Sequence, residues 1–162
     1  MKWFILLTGL FAVSAFAQLP DKTVTPGATN PAVTQENIRD TICKSGWTKT
    51  IRPPTSYTNA LKLKLLADTG IDPHKMELDH YCPIELAGHP SDPNNLWAEP
   101  WYLNVDGREM GAHQKDRAET ATKRAVCSGK ITLEDAQKQM MEDWTVLYRR
   151  FVKPEFPKYV PH

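Results

Sequence analysis

Ionisable and amide side chains crowd between Glu77 and Glu119. Asp79 and His80 are adjacent, Asn95 follows a turn-rich loop, and His113 comes eighteen residues later, just ahead of Lys115, Asp116, Arg117 and Glu119. These residue types suit phosphodiester hydrolysis. That reaction needs a group to take a proton from water, a charge to neutralise the phosphoryl oxygens and a means of stabilising the leaving oxygen. Histidine, with an ordinary pKa of about 6.5, is the usual neutral base near physiological pH. A divalent cation held by a carboxylate and one more ligand can do the other two jobs. Asp79, His80 and His113 form the minimum set, with Asn95 hydrogen-bonding across the loop. Each also has a plainer reading: His80 as a structural histidine paired with Asp79, and His113 as an exposed histidine at a helix start.

The elements that must position these groups follow from pattern. Residues 76–82 lack a helical period and precede Pro83, which predicts a strand ending near the Asp79–His80 pair. Gly88, Pro90, Pro93 and Asn94 make a turn-rich loop, and a brief strand is expected over 95–97. A helix is predicted from Ala112 to Cys127, with Ala118, Ala121 and Ala125 on one side and Gly129 beyond its end. On it, His113, Asp116 and Arg117 fall on adjacent faces. Thr132 followed by Asp135 resembles a capping box. Leu133, Ala136, Met140, Trp144, Leu147 and Phe151 then form an apolar stripe facing a core. Upstream, Thr34 is expected to cap a short helix carrying Ile38 and Ile42. Thr55 or Ser56 should cap another, in which Tyr57, Leu61 and Leu65 repeat every fourth residue. Helix, helix, strand, strand, helix, helix is an α+β order with a small sheet.

The run "ELDHYCPIELAGHPSDPNNLWAEPW" followed by "GAHQKDRAE" resembles the HNH family of nucleases, over roughly residues 76–120. The flanking "TICKSGWTKTIRPPTSYTNALK" and "VCSGKITLEDAQKQMMEDW" are similar to a secreted or phage-borne bacterial subgroup of it. The resemblance implies a two-stranded ββα-metal finger flanked by helices and a metal-dependent endonuclease. In that reading His80 is the general base, Asn95 fixes it, and Asp79 and His113 are metal ligands. Lys115 and Arg117 become phosphate contacts. The divalent ion would be Mg²⁺ or Mn²⁺, with Zn²⁺ or Ni²⁺ also suited to such donors. The substrate would be nucleic acid, DNA ahead of RNA. The stretch from Trp101 to Gly111 is then an inserted loop, within which Asn104 is an alternative ligand to His113. The alternative reading is a non-catalytic exported module that keeps the finger and binds nucleic acid or protein.

Composition sets the remaining bounds. The chain has 162 residues with 20 Lys and Arg against 19 Asp and Glu, 41% hydrophobic and 24% charged, which suits one ordinary globular domain. Residues 1–17 read as a cleaved signal peptide: Lys2, an apolar stretch too short to span a bilayer, and Ala15-Phe16-Ala17. Export to the periplasm or the medium is therefore expected, with no membrane attachment after cleavage. Residues 18–33 read as a flexible or extended leader, 34–153 as the nuclease-like domain (finger core about 76–127) and 154–162 as a Pro-rich tail. Removing Lys2 leaves basic and acidic side chains equal, so any nucleic-acid affinity must come from clustering. Two clusters exist: Lys44, Lys49, Arg52, Lys62 and Lys64 in a stretch free of acidic residues, and Arg149, Arg150, Lys153 and Lys158 near the C-terminus.

An oxidising compartment favours a disulfide, and three cysteines leave one over. Cys43 and Cys127 each end an expected helix just before a glycine turn, which makes them the expected pair. Cys82 lies two residues beyond His80 on a side that should pack inward, with nothing nearby in sequence to activate it.

Overall fold

A computed structural model describes residues 19–162; the expected signal segment lies outside them. The fold is α+β. Four helices, α1 (Trp47–Ile51), α2 (Thr55–Leu66), α3 (Ala112–Cys127) and α4 (Leu133–Phe151), surround two short antiparallel sheets. One pairs β1 (Met76–His80) with β2 (Leu96–Pro100), with Glu77 opposite Glu99 and Asp79 opposite Trp97. The other pairs β3 (Asn104–Val105) with β4 (Arg108–Glu109). No helix among the described residues is long and apolar enough to cross a membrane.

α3 and α4 form the main layer. Ile42, Leu86, Met140, Trp144, Leu147 and Tyr148 are completely buried between them and the N-terminal turns. The apolar stripe of α4 is the expected one, and Thr132 caps it by accepting from Asp135 N at 3.1 Å. The helix is not continuous. Asp143 leaves helical geometry, and its Oδ1 accepts from Thr145 N and Oγ1 at 3.0 and 2.6 Å, so it re-caps the second half.

Three local expectations change. The segment after Thr34 forms only a 3₁₀ turn (Gln35–Asn37), because the Asn37 and Thr41 side chains bond nearby backbone, yet Ile38 and Ile42 still reach the core. The Tyr57–Leu65 row of α2 is not a core stripe: both residues stay exposed, Leu66 is buried, and the Tyr57 hydroxyl donates to Ser91 O at 2.7 Å. The stretch 101–111 is not an irregular insertion but a hairpin, β3–β4, turning on Asp106 and Gly107, both at positive φ.

The flanks are integrated. Residues 19–33 combine two turns with non-regular chain, and the middle of this segment is bonded to the 87–95 loop: Gly27 N to Asn94 O, Asn30 N to Ala87 O and His89 N to Ala28 O, at 2.8–2.9 Å. It is therefore no free spacer. In the tail, Phe156 is buried and stacks on Tyr148 with ring centroids 4.1 Å apart, while Pro157 O accepts from Glu109 N of β4.

Cys43 and Cys127 form a disulfide across a sequence separation of 84, tying the N-terminal turns to the end of α3. Cys82 is free and completely buried, and burial pushes its thiol up to about 12, so it is no nucleophile at neutral pH. Replacing both Cys43 and Cys127 with serine should lower the unfolding free energy by about 2–4 kcal/mol, read as a shift in the urea midpoint. Identical midpoints for the variant and the oxidised wild type would show that the bridge does not carry that stability.

Candidate active site

β1 brings the Asp79–His80 pair to the edge of the α3 layer. Alternation sends Glu77 and Asp79 to one face of the strand and His80 to the other. In the antiparallel register, Trp97 and Glu99 of β2 share the Asp79 face. α3 meets that face through Lys115 and Glu119, one turn apart.

Lys115 is the centre of this face. Its side chain is 1% exposed, and its ammonium donates to the carboxylates of Asp79 and Glu119 and, at 3.0 Å, to the His80 carbonyl. Glu99 Oε2 lies 3.8 Å from the same nitrogen. Burial would push the Lys115 ammonium down, but Asp79, Glu119 and Glu99 together hold it well above its ordinary value. Burial raises the Asp79 carboxyl; the Lys115 charge beside it outweighs this and brings Asp79 down to about 2. Glu99 goes the other way: burial dominates and lifts it well above the carboxylate range. Neither Glu99 oxygen has a hydrogen-bond partner among the described residues. Burial also raises Glu119, to about 8. The cluster is thus a charged Lys115–Asp79 pair flanked by Glu99 and Glu119, whose carboxyls burial raises.

His80 is 6% exposed. Its Nε2 lies 2.9 Å from Pro90 O, a group that can only accept, so Nε2 carries the proton. Burial lowers the imidazole pKa below 6.5, against the opposing pull of Asp79 and Pro90 O. The ring is therefore neutral at pH 7, with its Nδ1 lone pair unbonded among the described residues.

The loop that carries Pro90 is held by Asn95, which is completely buried. Its Nδ2 donates to Cys82 O and His89 O at 2.9 and 3.0 Å, and its Oδ1 accepts from Cys82 N and Ala28 N at 2.8 and 3.2 Å. Asn95 thus fastens the residue next to Pro90. Gly88 is required in this loop because a Cβ there would lie 1.7 Å from Cys82 O.

The other expected site residues are not gathered here. His113 is exposed and packs against Trp101 and Tyr102, with ring centroids 5.3 and 5.0 Å away. Two residues along a helix turn it by about 200°, so His113 points away from the side on which Lys115 meets Asp79. Asn104, the alternative, is exposed and accepts from Gly107 N at 2.9 Å in the hairpin turn. Lys115 is an internal counter-ion and not a phosphate contact. Arg117 is turned toward α4, donating to Gln114 Oε1 and the Tyr148 hydroxyl at 3.1 and 3.2 Å, and is likewise no partner for a phosphate beside His80. The expected metal ligands do not fit a divalent ion as arranged: Asp79 is bonded to an ammonium and His113 faces elsewhere. Among the described residues no group of three or more His, Cys, Asp or Glu side chains could hold a metal ion.

Sequence reasoning passed over Glu99 and could not position Glu77. The alternating spacing of Glu77 and Asp79 was the available signal, since it puts both on one strand face. Burial, with Asp79 and Asp116 nearby, raises the Glu77 carboxyl to about 7. Two surface cavities of about 400 and 490 Å³ are lined by Met110, Arg149 and Phe156 in one case and Arg117, Arg124 and Phe151 in the other; neither includes His80. No family model, curated protein or solved structure matches this chain.

Two outcomes follow from these charges. Lys115→Met strands the buried Asp79 carboxylate without its counter-charge and should cost about 3–5 kcal/mol in chemical denaturation; a loss under about 1 kcal/mol would show that the pair is solvated. Glu77 binds its proton more tightly folded than unfolded, so its contribution to stability is present below about 4.5 and is lost as pH rises through about 7. Glu77→Gln should therefore melt higher than wild type at pH 8 and show no such gain at pH 4. An equal difference at both values would contradict the assignment.

Proposed function

We propose that the chain is an exported HNH-like endonuclease that hydrolyses phosphodiester bonds of nucleic acid, DNA ahead of RNA. The observation that carries the proposal is the tautomer of His80: a neutral ring at a strand end, its Nε2–H engaged by Pro90 O and its Nδ1 lone pair unbonded. In this reading Nδ1 takes the proton of the attacking water, and the developing imidazolium is stabilised by Pro90 O and by the nearby Asp79 carboxylate. Asn95 acts as a positioning residue through the loop that holds Pro90. The order β1, loop, β2, α3 supports the ββα finger that the sequence resembles. Mg²⁺ or Mn²⁺, which the resemblance implies, has no converged ligand set in the described residues, so the reading rests on His80 and its surroundings. The Cys43–Cys127 disulfide and the apolar N-terminal stretch support export.

The lack of convergence between Asp79 and His113 favours a second reading, a module that binds nucleic acid without cutting it. Plasmid cleavage separates the two. In a buffer containing Mg²⁺ and Mn²⁺, the nuclease reading expects cleavage that falls at least about 100-fold in His80→Ala. Its acid limb in kcat/KM should have a midpoint below 6.5, because burial lowers the His80 pKa. Plasmid retention without nicking would favour the binding module, and full activity in His80→Ala would reject the mechanism.

A further inference from the structure

With Lys115 internal and Arg117 turned to α4, the face beside His80 has no phosphate-binding cation from α3. Its nearest basic groups come from a different part of the chain. α2 packs against both strands of the β1–β2 pair. At its first turn, the Tyr57 hydroxyl donates to Ser91 O at 2.7 Å; His80 Nε2 donates to the preceding carbonyl, Pro90 O, at 2.9 Å. Further along, Lys62 Nζ donates to Met76 O at the start of β1, 3.2 Å away. The start of α2 and the His80 ring are therefore fastened to neighbouring peptide units of one loop.

Arg52 lies immediately before this anchored turn. It ends α1 with an extended backbone and is followed by Pro53 and Pro54, which fix their own φ and restrict the residue ahead of them. The corner between α1 and α2 is stiff, so the arginine emerges from a defined place. Its side chain is exposed and has no ion-pair or hydrogen-bond partner among the described residues. Its charge also acts weakly on both His80 and Glu77. Lys49, three residues earlier, is exposed in the same acid-free stretch, so positive charge is concentrated here in a chain whose net charge is only +1.

We propose that Arg52 is the phosphate contact of this site, its guanidinium fork gripping the backbone of a DNA duplex beside His80. The proposal rests on the nuclease reading for what His80 does, but not for the binding it predicts. A guanidinium can hold two non-bridging phosphate oxygens at once, which an ammonium cannot do with the same fixed geometry. Each phosphate neutralised on B-DNA steepens the dependence of affinity on salt by about 0.9 in a log–log plot.

The test uses the full chain carrying His80→Ala, so that nothing is cut, and a short fluorescein-labelled DNA duplex read by anisotropy between about 50 and 200 mM salt. Adding Arg52→Ala should weaken binding about tenfold at the low-salt end and lower the slope by about 1. Arg52→Lys should keep the slope and lose part of the affinity. Lys130→Ala, on the turn at the far end of α3, should change neither. Thermal melting of each variant should match the parent, because Arg52 is exposed. Binding by the parent that is indifferent to Arg52→Ala in affinity and slope would overturn the assignment of Arg52 and leave the nuclease reading standing. A duplex bound by none of these forms would overturn this contact together with the nucleic-acid reading.

Discussion

A buried ammonium cannot exist in a protein interior without partners, and the arrangement around Lys115 follows from that constraint. Its partners come from three places: Asp79 on β1, Glu119 one helical turn along α3, and the backbone carbonyl of His80. Lys115 is thus the joint between sheet and helix, where a hydrophobic contact would otherwise be expected. Burial raises the adjacent carboxyls of Glu99 and Glu119, against the lowering pull of the Lys115 charge. The same joint fixes the backbone at the end of β1 and with it the root of the His80 side chain.

The tip of that side chain is set by a second, independent network. Asn95 uses both its donors and both its acceptor positions on backbone groups of the 82–89 loop and the N-terminal segment, and Gly88 admits the close approach this requires. Pro90 is thereby presented to Nε2. Anchoring root and tip separately holds one tautomer of a neutral imidazole, the property that proton abstraction demands. The extended residues 27–30 complete the loop's hydrogen bonding, so a segment with little apolar content has a structural duty.

Scaffold and site are joined through α3. Its first turns carry Lys115, and its last residue carries the disulfide to Cys43. Gly111 lets the helix begin directly against the backbone of Pro100 and Trp101, closer than any side chain would permit. The layer of α4 and the tail through Phe156 pack on the other side.

Much of this was legible in the residues. The bounds of α3, the stripe of α4 and the loop-fixing role of Asn95 rest on local signals: glycine stops, three-and-four spacing and an amide between turns; the Cys43–Cys127 bridge is the expected one, although Cys43 sits in a turn and only Cys127 ends a helix. The β3–β4 hairpin is also readable, since Asp106-Gly107 is a two-residue turn signal. The roles of His113, Lys115 and Arg117 were not. Helical geometry says only that Lys115 points about 200° away from both His113 and Arg117; which direction meets β1 depends on how α3 packs, a long-range choice absent from any local window. The sequence alone therefore determined which side chains were able to do chemistry and which helices and strands would carry them. The tertiary structure alone decided that a lysine, and not a histidine, would face Asp79, because burial of a charge is settled by what packs around it.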